Sequence, residues 1–203
     1  MKKIISIMLA LVMLLSFAAC NKEKEPSTPQ DTVSLDVKEL KKTWQDGALM
    51  LPNGKTVKIP CTVTEFIEQS GLEIANENVL GDKTLSPKET VILNVASEDI
   101  NFKITVRNTT SKNDLSYKDA NVVEYNFNNT NEANRQIKFA GSLTPGVTRK
   151  SVEKALGVPK GQKSEDALYY YTDKNSEDKD IQLVVSFNSD DIVNSVSYKI
   201  LFK

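Results

Sequence analysis

The segment Ile100-Asn101-Phe102-Lys103-Ile104-Thr105-Val106-Arg107 decides the fold class of this chain. Apolar and polar residues alternate over its whole length, which is the pattern of a β-strand with one buried face and one solvated face. The same alternation recurs further along the chain, in Val123–Phe127, Ile181–Phe187 and Val196–Ile200. These segments predict antiparallel sheet, because one-faced burial is typical of antiparallel strands.

Short helices are predicted ahead of the strands in each half of the chain. Thr62-Val63-Thr64-Glu65 has the spacing of a capping box, and Gly71 stands where a left-handed residue closes a helix. Thr148 begins a similar segment that ends at Gly157. A hairpin is also expected at Asn53-Gly54, since both residues tolerate positive φ.

The two halves therefore show the same order of cap, apolar helix face, closing glycine and alternating strands. We interpret the chain as α+β, with two tandem units that each pack a short helix on an antiparallel sheet. The first unit covers residues 33–128 and the second covers residues 129–203. Chance similarity between short amphipathic strands is the alternative.

The first twenty residues predict export and lipid attachment. Lys2-Lys3 precede the mostly apolar run Ile4–Phe17, and Ala18-Ala19-Cys20 follow it. A charged start, a short apolar stretch and a small-residue site make a signal peptide, here residues 1–19. The ending resembles the lipobox of bacterial lipoproteins, although Phe17 stands where that motif usually has leucine. The resemblance implies a lipid on the Cys20 sulfur, followed by a flexible tether over residues 20–32.

A second resemblance concerns the stretch Leu143–Pro159. It resembles the SmpA/OmlA lipoproteins of the outer-membrane assembly machine, through a shared pattern of Gly146, Thr148, Val152, Leu156, Gly157 and Pro159. The same architecture in tandem looks like the β-lactamase inhibitory protein, and the whole chain is similar to lipoproteins of Gram-positive bacteria. The pattern marks a helix and its turns, so it implies a fold and no active site.

Composition argues against several functions. The chain has 203 residues, a formal net charge of −1 and no histidine. A near-neutral chain does not predict nucleic-acid binding, and the missing histidine removes the commonest general base and metal ligand. We expect no enzyme activity, no cofactor and no metal. Cys61 is expected to be a buried, unpaired hydrophobe.

Two short motifs resemble functional sites but are better explained by ordinary structural roles. Ser151-Val152-Glu153-Lys154 matches the S-x-x-K nucleophile motif, but the accompanying S-D-N and K-T-G elements are missing from the sequence. Asp173–Asp178 hints at a calcium loop but lacks the required glycine and glutamate. An ordinary helix residue and a solvated hairpin loop are predicted instead.

The outward face of the sheet is the candidate interaction surface. Alternation sends Tyr170 to one face and its neighbours to the other, where aromatic side chains are typical interface anchors. Core packing of these tyrosines is the alternative. The side chains expected on the outward face are Lys103, Arg107 and Glu124 in the first unit and Tyr169, Tyr171 and Lys199 in the second.

These observations predict an extracytoplasmic protein held to the cell membrane through Cys20. Its expected function is that of a non-enzymatic binding or scaffolding module, with a protein or cell-wall component as partner and no nucleic acid. Inhibition of a secreted enzyme is a second hypothesis. An envelope hydrolase with a serine or carboxylate site is the third, and the missing histidine disfavours it.

Overall fold

One long antiparallel sheet organises the computed structural model of the chain, which describes residues 33–75, 81–159, 163–172 and 179–202. The signal peptide and the tether, residues 1–32, lie outside the described residues, and so does the Asp173–Asp178 loop. The α+β class is confirmed, because short helices and mainly antiparallel strands make up the described regular structure.

The helices are α1 (Val37–Thr43), α2 (Val63–Ser70), α3 (Glu132–Arg135) and α4 (Arg149–Leu156), with a 3₁₀ turn at Trp44–Asp46. The strands in the first half are β1 (Ala48–Met50), β2 (Thr56–Lys58), β3 (Cys61–Thr62), β4 (Glu73–Ile74), β5 (Thr84–Leu85), β6 (Thr90–Ala96), β7 (Asn101–Arg107), β8 (Leu115–Ser116) and β9 (Asn121–Asn128). Those in the second half are β10 (Lys138–Phe139), β11 (Lys163–Ser164), β12 (Ala167–Tyr171), β13 (Lys179–Phe187) and β14 (Val193–Phe202).

The large sheet has the strand order β11-β12-β13-β14-β9-β7-β6-β4, with β3 also pairing with β9. Strands β9 and β14 are antiparallel neighbours, so the last long strand of one half pairs with the last strand of the other. The two halves thus contribute to a single sheet, where a separate sheet was expected for each unit. The equivalence of the two halves as repeats stays a prediction.

Two smaller sheets complete the strand pairing, with the orders β10-β1-β2 and β5-β8. The predicted hairpin is confirmed, because Met50 pairs with Thr56 across the loop that contains Asn53 and Gly54. Gly54 has φ of 80°, which is the left-handed region that the turn requires.

The N-caps of helices α2 and α4 form as the sequence predicts. The Thr62 hydroxyl accepts a hydrogen bond from the Glu65 amide at 3.1 Å, and the Glu65 carboxylate accepts one from the Thr62 amide at 2.8 Å. Thr148 is the N-cap of helix α4, and its hydroxyl accepts a hydrogen bond from the Ser151 amide. Gly71 closes α2 in the left-handed conformation, whereas Gly157 combines φ of 81° with an extended ψ of 174°. The chain therefore leaves the two helices in different directions.

Both helices pack on the same face of the large sheet, which we call the inner face. Phe66 of α2 meets Phe102 of β7 edge-on, with 6.5 Å between ring centroids. Tyr170 of β12 donates a hydrogen bond to the carbonyl of Gly157 at the end of α4, at 3.0 Å. The buried side chains of both halves form one hydrophobic cluster, which includes Val152 of α4.

Strand β6 is the main element that alternation did not predict. Its sequence, Thr90-Val91-Ile92-Leu93-Asn94-Val95-Ala96, contains a run of consecutive apolar residues, so its faces cannot be assigned from polarity. In the sheet, Leu93 and Val95 are buried, while Ile92 faces solvent. The polarity rule fails here because an apolar residue occupies an outward position.

Candidate interaction surface

The outer face of the large sheet, opposite the helices, carries the side chains expected there. Lys103 and Arg107 lie on β7, at positions that alternate with buried Ile104 and Val106. Tyr171 is exposed and Tyr169 half-buried on β12, whereas Tyr170 between them is buried. Glu124 of β9 and Lys199 of β14 are likewise half-buried at outward positions between buried neighbours.

The strand register places one residue from each of six neighbouring strands in a line, which we call the cross-sheet row. It consists of Tyr171, Gln182, Lys199, Glu124, Thr105 and Ile92, from β12 to β6. Neighbouring strands lie about 4.8 Å apart, so five steps separate the ends of the row by about 24 Å. This is a length that one face of a folded partner can cover.

The centre of the row is an ion pair at the junction of the two halves. Lys199 Nζ lies 3.1 Å from Glu124 Oε2. The Glu124 carboxylate also accepts hydrogen bonds from the hydroxyls of Thr105 at 3.2 Å and Ser197 at 3.3 Å. The charges and lone pairs of this cluster are therefore largely satisfied within the protein, and a partner would meet a neutral polar surface.

Both ends of the row are apolar and exposed. Ile92 is 61% exposed and Tyr171 is 46% exposed. The Tyr171 hydroxyl accepts a hydrogen bond from Gln182 Nε2 at 2.8 Å, which orients the ring over the outer face. Met50 and Val158 are also large, apolar and exposed, but they lie outside the large sheet.

The remaining two predicted residues, Arg107 and Lys103, differ in whether their side chains make contacts within the protein. Arg107 Nη1 donates to the carbonyl of Phe202 at 3.3 Å, so this guanidinium helps to hold the end of β14. Lys103 is exposed between its cross-strand neighbours Asn94 and Asn126, and it forms no ion pair within the described part of the chain. Of the two cations, Lys103 is the one that a ligand can engage without breaking a structural contact.

Metal-binding side chains and Ser151 are the candidate reactive groups that the described residues allow to be located. No group of three or more His, Cys, Asp or Glu side chains in residues 33–75, 81–159, 163–172 and 179–202 could hold a metal ion. Ser151 belongs to the cap of α4, where its hydroxyl accepts a hydrogen bond from Thr148 Oγ1 at 3.1 Å. This contact gives Ser151 a structural role at the start of the helix.

Cys61 is half-buried where a buried residue was expected, and it forms no disulfide with any described residue. Burial and, to a lesser extent, the neighbouring Glu65 carboxylate together raise the pKa of its thiol from 9.0 to about 12. A thiol with so high a pKa is almost entirely protonated at neutral pH, so it is a poor nucleophile.

No helix in the described residues is long and apolar enough to cross a bilayer. Comparisons with protein-family models, with curated proteins and with solved structures found no match to this chain. The geometry of the described residues is therefore the basis for any functional inference.

Sequence reasoning missed Ile92 and Gln182 on this surface. Gln182 could have been found, because it alternates with the apolar residues Ile181 and Leu183 of a predicted strand. Ile92 gave no such signal, since an outward isoleucine within an apolar run looks like a core residue. Only the pairing of Ile92 with outward-facing Thr105 assigns its face.

Proposed function

We propose that this protein is a non-enzymatic binding module, anchored outside the cell membrane through a lipid on Cys20, and that it binds a protein partner with its outer sheet face. The observation that carries the proposal is the pair of exposed apolar residues, Tyr171 and Ile92, at the two ends of the polar cross-sheet row. The lipobox-like sequence at Ala18-Ala19-Cys20 supports the location.

The physical argument rests on what interfaces require. A few apolar or aromatic anchors supply most of the binding free energy, and the polar groups between them mainly exclude water and set the register. The cross-sheet row has both parts. Tyr171 and Ile92 are anchors held by regular strands, and the Lys199–Glu124 cluster between them leaves few polar groups unpaired when it is covered.

Capture from the native envelope tests this proposal. The full-length protein is crosslinked in its membrane and purified, alongside a Tyr171→Ala/Ile92→Ala double variant. A Met50→Ala/Val158→Ala double variant is the matched control, since it removes two exposed apolar side chains that lie off the outer face.

A protein captured by the wild type and by the control variant, but lost from the Tyr171/Ile92 variant, supports the proposal. Equal capture by all three proteins contradicts it. The identity of the captured protein also separates two hypotheses, because a secreted enzyme whose activity falls on binding would indicate an inhibitor, while a structural envelope protein would indicate a scaffold.

A further inference from the structure

A cleft of about 800 Å³ opens on the outer face, where β6, β7, β9 and β14 lie side by side. Six asparagines line it: Asn94 from β6, Asn101 from the start of β7, Asn126 and Asn128 from β9, Asn131 just after β9, and Asn194 from the start of β14. Lys103 pairs across the strands with both Asn94 and Asn126. Paired side chains on one face lie about 5 Å apart, so Asn94 and Asn126 flank Lys103 and lie two strand spacings, about 10 Å, from each other.

Four of these asparagines are not used to hold the fold together, whereas Asn131 caps α3 by accepting a hydrogen bond from the Asn134 amide at 2.7 Å. The side chains of Asn94, Asn126, Asn128 and Asn194 form no hydrogen bond with other residues in the described part of the chain. The buried Asn134 behaves differently, because its side chain donates to the backbone carbonyl of the cleft residue Asn101 at 2.7 Å.

Asparagine is also a poor choice for these positions on structural grounds. Asn94, Asn126 and Asn128 lie within strands, where asparagine is depleted because its short polar side chain packs badly on the pleated surface and competes for backbone hydrogen bonds. Threonine or valine would favour the strand more. A cluster of residues that disfavours the sheet and makes no internal bond is better explained by binding than by folding.

The chemistry of the lining selects the class of ligand. Each amide offers two donors and one acceptor without charge, which complements hydroxyl groups that both donate and accept. Among the described residues that line the cleft, Lys103 is the only one with a charged side chain, whereas a phosphate site would be expected to cluster arginines or lysines. An extended peptide would add to a sheet edge, but the cleft lies on a face. We propose that this cleft binds a neutral, hydroxyl-rich glycan.

This site differs from the protein-binding row by residues and by ligand, so the two proposals can fail separately. Calorimetric titration of the full-length protein in detergent micelles tests the glycan site, with the tetramers of glucose and of N-acetylglucosamine and with inorganic phosphate as probes. The variants are Asn126→Thr and Asn94→Thr. Asn113→Thr is the matched control, because Asn113 is exposed outside the cleft and its side chain makes no hydrogen bond with the described residues.

At least one sugar tetramer is expected to bind the wild type and the control alike. Each cleft variant is expected to bind it about fivefold more weakly or worse, the loss of one or two hydrogen bonds. Cosedimentation with an insoluble glycan polymer then separates a free sugar from a wall polymer as the source. Binding of phosphate alone, no binding of either tetramer, or sugar binding that both cleft variants retain while folded would overturn the proposal.

Discussion

Tyr125 of β9 and Tyr198 of β14 stack across the junction of the two halves, with 5.6 Å between ring centroids and 20° between ring planes. They lie on the inner face, directly beside the outward pair Glu124 and Lys199. The junction is therefore held by an aromatic pair inside and an ion pair outside. Burial of the two rings stabilises the inner contact more than the stacking itself does, since stacking adds only about 0.5 to 1.5 kcal/mol to the contribution from the buried area.

The two tyrosine hydroxyls differ in their hydrogen bonding, and this difference gives a first prediction. Tyr198 donates to the carbonyl of Gln45 at 2.8 Å, whereas the buried Tyr125 hydroxyl has no hydrogen-bond partner among the residues that the structure describes. A buried hydroxyl without a partner costs about 1 to 3 kcal/mol. Tyr125→Phe should therefore raise the free energy of unfolding by about 1 kcal/mol, which is a melting-temperature increase of about 2 to 4 °C.

Tyr198→Phe is the matched control, because it removes the same atom from the other ring of the stack. It should lower the free energy of unfolding by about 1 kcal/mol through loss of the bond to Gln45. Thermal and urea unfolding of both variants check these signs. A Tyr125→Phe variant that is less stable than the wild type would mean that the hydroxyl has a partner in solution.

Lipid attachment at Cys20 is a second prediction. Cells fed a palmitate analogue should produce labelled protein, and Cys20→Ser should carry no label. One acyl chain anchors only marginally, so stable membrane association should require more than one. Cys61→Ser is the control for the second cysteine and should label normally. Label that persists in Cys20→Ser would place the modification elsewhere.

Alkaline pH should weaken the fold, and Cys61 should contribute. Its thiol pKa is about 12 in the folded state against 9.0 ordinarily, because burial and Glu65 disfavour the thiolate. The unfolded chain therefore loses this proton first, and stability falls as pH rises from about 9 toward 12. Burial also raises the pKa values of Tyr125, Tyr170 and Tyr198, which adds to the loss above pH 10.

Urea unfolding at pH 7, 9, 10 and 11 measures this loss, with Cys61→Ala as the comparison. The variant should show a shallower decline between pH 9 and 10, because only the wild type has the Cys61 thiol to ionise on unfolding, while the tyrosines contribute equally to both proteins. Slow alkylation of the native thiol by a charged maleimide at pH 7 should accompany this behaviour. Parallel pH profiles for variant and wild type would exclude a contribution from Cys61.

The sequence predicts well those elements that depend on residues close together along the chain. The Thr62–Glu65 capping box depends on residues three apart, and it forms as expected. Alternation likewise assigns the faces of β7 and β12, because a strand reverses its side chains at every residue. This reasoning correctly separates buried Tyr170 from exposed Tyr171.

Long-range pairing is what sequence could not supply. The contact between Glu124 and Lys199 depends on β9 meeting β14 in one register, and alternation carries no information about which strands are neighbours. For the same reason the sequence did not reveal the asparagine cleft, since Asn94 and Asn126 flank Lys103 only because β6 and β9 both pair with β7. The face that a side chain takes could be predicted from a single strand, whereas a site built from several strands could not.

The final prediction separates an anchor from a rim charge on the outer face. With a purified partner, Tyr171→Ala should weaken binding by about thirtyfold, or about 2 kcal/mol, because a covered aromatic side chain commonly contributes that much. Lys103→Ala should change the affinity by less than about fivefold, since exposed charges at an interface edge contribute little. Calorimetry or surface plasmon resonance measures both effects.

Stability must be measured on the same variants, because Tyr171 could act through the fold instead of the interface. Tyr171 is 46% exposed and its hydroxyl bonds to Gln182 at the protein surface, so its truncation should leave the melting temperature within about 2 °C of the wild type. Gln182→Ala removes that hydrogen bond but keeps the ring, and it should bind almost as tightly as the wild type. If Tyr171→Ala lowers the melting temperature while the affinity stays unchanged, Tyr171 is a structural residue and the cross-sheet row loses one of its anchors.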